Sequence, residues 1–111
     1  MMNESVVQRA KALEKGDLKS VDLVRHYLDR IAKHDSSIQS FLTVYAEDAL
    51  ARAEAIDAKR AAGEPISGFA GIPIGIKDNI NIRNHITTCS SKILESFVSP
   101  FDATVIQKTR E

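Results

Sequence analysis

Residues 71–80 read GIPIGIKDNI and place one lysine, Lys77, in a run of isoleucine, glycine and proline. Lysine is among the side chains least often fully buried. A lysine in an apolar run therefore either reaches water at the end of a strand or is held there for chemistry. The apolar residues predict an extended strand at 72–77, with a further extended piece at 80–82.

The alternation of side chains along a strand predicts the surroundings of this lysine. We expect Asp78 to point to the opposite face, and Lys77 to share its own face with small residues, namely Gly71, Pro73 and Gly75. Small neighbours leave open volume beside the amine. A lysine enclosed in a water-poor pocket can serve as a general base, because desolvation disfavours its charged form.

Upstream of this stretch, the spacing of apolar residues predicts three helices, over about 5–15, 21–34 and 47–62. Gly16 and Gly63 are typical of helix C-termini, and Ser20 is a typical N-cap for the second helix. The charges of the third helix are expected to form a solvated face. Between the second and third helices, FLTVY at 41–45 is typical of a buried strand or an extended linker.

These elements predict an α/β fold in a single domain, 1–111, that is incomplete. It would comprise a helical layer over about 4–63, the lysine strand and its following loop over about 70–100, and a further helix over about 102–111 capped by Asp102. A helical layer followed by the first strands of a sheet is typical of the opening of a larger α/β domain.

Composition excludes several classes of function. The chain has 15 basic and 15 acidic residues and a formal net charge of zero, so we expect no basic face for direct nucleic-acid binding. No apolar run approaches the roughly 20 residues that span a bilayer, and the N-terminus lacks the apolar core of a signal peptide. With a single cysteine the chain forms no internal disulfide. We expect a cytoplasmic location, or an organellar matrix in a eukaryote.

The cysteine and the histidines are weak candidates for a site. Cys89 and His85 are close in sequence and could form a thiol nucleophile with its base, but a lone cysteine is usually a small packed residue. His26 and His34 lie more than two helical turns apart, too far to share one metal ion without other ligands. We predict no metal site.

Two sequence blocks carry a family resemblance. They are G-I-P-x-x-I-K-D-N at 71–79 and T-T-C-x-S-K at 87–92, and SPFDATV follows them at 99–105. The chain resembles the N-terminal part of the amidase signature family, and within it the A subunits of glutamyl-tRNA(Gln) amidotransferases. It departs from the family at 83–85, where a glycine turn is common; Asn84 also tolerates positive φ there.

The resemblance implies a large mixed sheet wrapped by helices and a Ser, cis-Ser, Lys triad. It assigns the triad lysine to Lys77, which would take a proton through the bridging serine, while a Gly/Ser-rich loop stabilises the oxyanion. Four further residues are expected to support the site without reacting: Asp78, Asn79, Ser90 and Ser91. The triad serines would lie beyond residue 111, so we expect a fragment that is inactive alone.

The resemblance also implies partners. Glutamine would be the small-molecule substrate, and the B and C subunits would complete a heterotrimer. tRNA would be contacted only by the whole complex, and a partner subunit would use ATP and magnesium. This chain would hold no cofactor and contact no membrane. Two alternatives stay open. One is a fragment of an amidase acting on another amide, and the other is a stand-alone module that binds a protein through exposed apolar surface.

Overall fold

The computed structural model describes residues 4–110. They divide into two compact units, one ending at Pro73 and one starting at Ile74. Four α-helices and one 3₁₀ turn lie within this range: α1 Val6–Lys15, α2 Ser20–Ile38, α3 Ala46–Ala61, the 3₁₀ turn Lys92–Leu94 and α4 Thr104–Arg110. None of these helices combines the length and the apolar character that crossing a bilayer would require.

Helix α1 begins and ends at local signals. The Ser5 hydroxyl accepts a hydrogen bond from the Gln8 amide at 3.2 Å, and the Gln8 side chain accepts one from the Ser5 amide at 2.7 Å. This reciprocal capping box satisfies two of the amides that a helix start leaves unpaired. Gly16 ends the helix in the left-handed region, with φ of 79°. The predicted first helix and its glycine stop are confirmed.

The start of α2 differs from the prediction. Ser20 is the first helical residue and not the cap, and the carboxylate of Asp57 in α3 accepts hydrogen bonds from the Ser20 amide at 2.8 Å and the Val21 amide at 3.0 Å. An acidic group at this end is also favoured by the helix dipole. Because the carboxylate satisfies both amides, the Ser20 side chain is fully buried instead of capping, and its hydroxyl finds no hydrogen-bond partner within residues 4–110.

Helices α2 and α3 pack on each other in the first unit. The buried apolar side chains of this unit come from α1, α2 and α3, and they are Ala10, Leu13, Leu23, Val24 and Ala53. The charged residues of α3 were predicted to form a solvated face, and for two of them this prediction was wrong. Asp57 caps α2, and Arg60 donates a hydrogen bond to the Ala70 carbonyl at 2.9 Å. The second and third predicted helices are confirmed, and α2 extends four residues past the predicted end at 34.

The segment 41–45 is a linker. All five of its side chains are exposed and none lies in a strand, so the interpretation as a buried strand was wrong. A short apolar run is buried on both faces only where neighbouring strands cover it. In the first unit the elements beside this segment are the helices that it connects.

The strands predicted at 72–77 and 80–82 are also absent, and the first strands of a mixed sheet are not seen in residues 4–110. The prediction of an α/β fold is corrected here to helices and loops. An extended segment becomes a strand only when its amides and carbonyls pair with a neighbour. The described residues pair in this way only at an isolated antiparallel bridge between Ile86 and Val98.

Gly71 is not part of an extended strand, so the predicted face that it shares with Lys77 is wrong. Its φ is +91°, a conformation that glycine adopts without steric cost. A Cβ built on Gly71 would lie 2.0 Å from the Ser20 hydroxyl oxygen and 3.2 Å from a methyl group of Ile56. The absence of a side chain at Gly71 allows the backbone to approach α2 closely, which is a packing role.

The second unit is organised around the turn at 83–85 and α4. Asn84 has the positive φ that its side chain tolerates, 65°, and its amide donates to the Ser99 carbonyl at 2.8 Å, so the turn forms without a glycine. The final helix is confirmed, but Asp102 is not its cap. The Asp102 carboxylate instead accepts from the Arg83 amide at 2.8 Å and pairs with Arg110. Its side chain thereby ties the turn to α4.

Candidate active site

Lys77 lies at the start of a tight turn. The Ile80 amide donates to the Lys77 carbonyl at 3.0 Å, which closes a four-residue turn at 77–80. The Lys77 side chain is exposed, as is that of Asn79. The expected enclosure of the amine is therefore not provided by residues 4–110. Its assignment as the catalytic base stays a prediction.

Asp78 connects this turn to a second turn further along the chain. Its carboxylate accepts a hydrogen bond from the Thr88 amide at 2.8 Å and another from the Thr88 hydroxyl. Its backbone carbonyl accepts from the Cys89 amide at 3.0 Å. The Thr88 hydroxyl bond, followed by the Thr88 backbone bond, lowers the pKa of the Asp78 carboxyl below its ordinary value, because both bonds favour the charged form.

The second turn, 88–91, has an unusual backbone. Its ends are joined by the bond from the Ser91 amide to the Thr88 carbonyl at 2.8 Å, and its central residues Cys89 and Ser90 have φ of 49° and 59°. Two consecutive positive φ values are typical of a type I′ turn, which usually contains asparagine or glycine. For ordinary L-residues this left-handed conformation costs about 1–2 kcal/mol each. The chain therefore maintains a strained turn beside Asp78.

The structure brings some of the predicted site residues together. Asp78 and the turn holding Ser90 and Ser91 are joined by hydrogen bonds, whereas Asn79 is exposed. Thr88 was not singled out from the sequence, although it makes most of these bonds. The signal was present, because Thr88 lies within the T-T-C-x-S-K block and its hydroxyl can bond to a nearby aspartate.

The alternative thiol site gains no support from this geometry. Cys89 is an exposed member of the strained turn, and its amide is used in holding Asp78. The Nδ1 atom of His85 lies 2.9 Å from the Arg83 carbonyl oxygen. Across residues 4–110, no group of three or more His, Cys, Asp or Glu side chains is arranged to hold a metal ion.

This arrangement can present an amine from a fixed backbone. The turn at 77–80 is closed by the bond from the Ile80 amide to the Lys77 carbonyl. Asp78, the residue after the lysine, is held at its carboxylate by Thr88 and at its carbonyl by Cys89. An amine presented in this way can exchange a proton with a hydroxyl group brought beside it. The chemistry then depends on which groups surround Lys77.

Comparison with known sequences places the chain among the amidases. The family model described as Amidase matches residues 22–111. Proteins named as the A subunit of glutamyl-tRNA(Gln) amidotransferase are 40% identical over all 111 residues in Chlamydia pneumoniae, 44% identical over 107 residues in Protochlamydia amoebophila and 44% identical over 107 residues in Natranaerobius thermophilus. These alignments cover 96–100% of this chain and 22–23% of the relatives. The chain thus spans less than a quarter of their length.

Solved structures agree. A chain from a complex described as vestigial, which reveals the evolutionary origins of an s-triazine catabolic enzyme, superposes with a TM-score of 0.90 at 29% identity. The alignment covers 96% of this chain and 24% of that one, and the inhibitor-bound form of the complex matches equally well. The family match extends over most of the sequence and includes both the lysine turn and the strained turn. The chain therefore belongs to the Amidase family.

Proposed function

We propose that this chain is the lysine-bearing N-terminal part of the glutamine-hydrolysing protein of a tRNA-dependent amidotransferase. The observation that carries the proposal is the 40–44% identity, over nearly the whole chain, to proteins named as the A subunit of glutamyl-tRNA(Gln) amidotransferase. The hydrogen-bonded turn that presents Lys77 is consistent with a base that must be accurately placed.

In the proposed reaction, Lys77 acts as the general base. Its neutral amine takes the proton of the nucleophilic serine through a bridging serine, and the serine oxygen attacks the side-chain amide carbon of glutamine. The carbon–nitrogen bond breaks, the proton goes to the departing nitrogen, and ammonia leaves a glutamyl ester that water hydrolyses. Both serines belong to the part of the polypeptide that the relatives have beyond the matched segment, so the 111 residues alone are inactive.

The partners are part of the same proposal. The ammonia passes to the B subunit of a heterotrimer that also contains the C subunit, and ATP and magnesium serve there to activate misacylated tRNA. tRNA contacts the complex and not this chain alone, and the assembly works in the cytoplasm.

A chimera tests the proposal. The chain replaces the 107 residues with which it aligns in the A subunit from Protochlamydia amoebophila, and ammonia release from glutamine is measured. We expect activity in the chimera and none in the 111-residue chain. Lys77→Met should lower kcat by about 10²–10⁴-fold, the usual contribution of a general base. The matched control is Lys108→Met, which removes an exposed lysine of α4 and should leave kcat unchanged.

Either of two results would refute the proposal: a folded but inactive chimera, or an active chimera that Lys77→Met leaves unaffected. A second candidate, an amidase acting on another amide, is favoured by the 0.90 TM-score to the complex related to s-triazine catabolism. The protein in its natural length, offered glutamine and simple aliphatic and aryl amides, would separate the two. A chimera without activity, together with a 111-residue chain that melts cooperatively as a monomer, would instead favour a non-catalytic binding module.

A further inference from the structure

We propose that Thr88 is a positioning residue for the reaction, acting on Lys77 through Asp78. This inference rests on the proposed function and adds a residue to it. Thr88 does not reach the reacting atoms itself. Its role is to hold the lysine turn, 77–80, against the strained turn, 88–91.

The hydrogen bonds around Thr88 support this role. Its amide and its hydroxyl both donate to the Asp78 carboxylate. The same hydroxyl accepts from the Ser90 amide at 3.2 Å, and the Thr88 carbonyl accepts from the Ser91 amide at 2.8 Å. Every polar atom of Thr88 is thus engaged in joining the two turns or in closing its own turn.

The strained turn is a second, independent observation. Cys89 and Ser90 hold positive φ values that L-residues rarely adopt. Such conformations persist only where the surroundings determine them, and they concentrate at functional sites. The Thr88 hydroxyl bonds the Ser90 amide from within this turn, and the Cys89 amide bonds the Asp78 carbonyl. The bond from the Cys89 amide, one of the bonds that maintain this turn, therefore also fixes the residue next to Lys77.

The consequence for Lys77 follows from its place in the chain. Asp78 is held at its carboxylate by Thr88 and at its carbonyl by Cys89, so the peptide that follows Lys77 has little freedom. Without the Thr88 hydroxyl, the carboxylate loses one of its two donors and the lysine turn can shift. A displacement on the order of 1 Å at a catalytic group can lower the rate about 10²-fold.

The experiment uses the active chimera described above and three variants. Thr88→Val keeps the shape of the side chain and removes the hydroxyl, and we expect kcat for glutamine to fall about 10²-fold with little change in KM. Thr88→Ser keeps the hydroxyl and should restore most of the rate. The matched control, Thr109→Val, removes a threonine hydroxyl that bonds the Ile106 carbonyl within α4, and it should leave kcat unchanged.

Rescue by the conservative variant separates positioning from general stability. Rates are expressed per folded enzyme, with the folded fraction taken from circular dichroism. Thr88→Val should keep its loss of kcat on this basis, and Thr88→Ser should recover it. A variant that merely reduces the amount of folded enzyme would regain the parent kcat per folded molecule. An unchanged kcat per folded molecule of Thr88→Val in the active chimera would overturn the inference.

A measurement on the 111-residue chain separates failure of this inference from failure of the proposed function. Hydrogen exchange at the Ile80 amide reports the closure of the lysine turn. Thr88→Val should accelerate this exchange and Thr88→Ser should not. If the chimera is inactive, the proposed function fails, and this exchange still decides whether Thr88 holds the turn. Should Thr88→Val not fold, Asp78→Asn must show the same acceleration, and unchanged exchange would overturn the inference.

Discussion

Replacing Gly71 with alanine should destabilise the chain more than the same replacement at any glycine with a similar backbone. Gly71 has φ of +91°, and an added Cβ would lie 2.0 Å from the Ser20 hydroxyl oxygen and 2.8 Å from the Ser20 Cβ. Neither neighbour can easily move, because Ser20 is fully buried in the first turn of α2. The substitution therefore combines a backbone penalty with an overpacking penalty.

The magnitude follows from these two penalties. Positive φ costs an alanine about 1–2 kcal/mol, and overpacking adds about 1–3 kcal/mol. Alanine also lowers the conformational entropy of the unfolded chain, which offsets about 0.4–1 kcal/mol of this loss. Gly71→Ala should therefore lower the free energy of unfolding by roughly 2–4 kcal/mol. This is a large share of the roughly 5–15 kcal/mol typical of a folded domain.

Gly63→Ala is the matched control. Gly63 has φ of +71° with nothing within 4 Å of its added Cβ, so only the backbone penalty applies. The free energy of unfolding of both variants is measured by urea titration, with circular dichroism as the signal. The difference between the two variants is the steric penalty at Gly71, which we expect to be about 1–3 kcal/mol. Removing the Ser20 hydroxyl in a Ser20→Ala, Gly71→Ala double variant should recover part of the loss. If Gly71→Ala and Gly63→Ala unfold at the same urea concentration, the inferred close contact between Gly71 and α2 does not exist.

Three further predictions concern charges and strain. Asp57→Ala should lower the free energy of unfolding by about 1–3 kcal/mol in urea titrations, because two amides at the start of α2 lose a charged acceptor. The lowered pKa of Asp78 means that this carboxylate stabilises the fold above its ordinary pKa of 3.8. Its contribution is lost as the pH falls from 3.8 through the lowered pKa. Asp78→Asn should therefore lose less stability on acidification than the parent chain, as measured by melts at a series of pH values. Cys89→Gly should raise thermal stability, since relief of about 1–2 kcal/mol of strain exceeds the roughly 0.5–1 kcal/mol entropy cost of glycine.

Matched variants make these predictions specific. Glu54→Ala removes an exposed acid of α3 and should change stability by less than about 0.5 kcal/mol. Asp17→Asn, at an exposed aspartate, should change stability by less than about 0.5 kcal/mol. Ser96→Gly, where φ is not positive, should destabilise the chain. Equal effects in a variant and its control would contradict the corresponding prediction.

Helices were predictable from this sequence because their signals are local. Gly16 and Gly63 end α1 and α3 in the left-handed region, within a few residues of the apolar pattern that predicts each helix. Asn84 likewise takes the positive φ that its side chain tolerates. Each of these features depends on residues next to one another in the chain.

The strands failed for the opposite reason. The apolar run at 72–77 has the composition of a strand, but pairing requires a partner segment, and the described residues provide none for it. The face expected for Lys77 failed with the strand, since alternation applies only to an extended backbone and Gly71 has φ of +91°. Composition indicated what these residues can form, and contacts distant in sequence decided what they do form.

The two carboxylates that organise the units suggest how such contacts can be anticipated. Asp57 and Asp78 each accept hydrogen bonds from two donors of another segment, and from sequence alone either could be a solvated charge. The contact made by Asp57 could have been anticipated from the amides that donate to it. The cap position of α2 is Lys19, which makes no side-chain capping bond, so the amides of that helix start need an acceptor from elsewhere. A helix start that lacks its own acceptor therefore predicts that an acidic side chain distant in sequence is structural and not solvated.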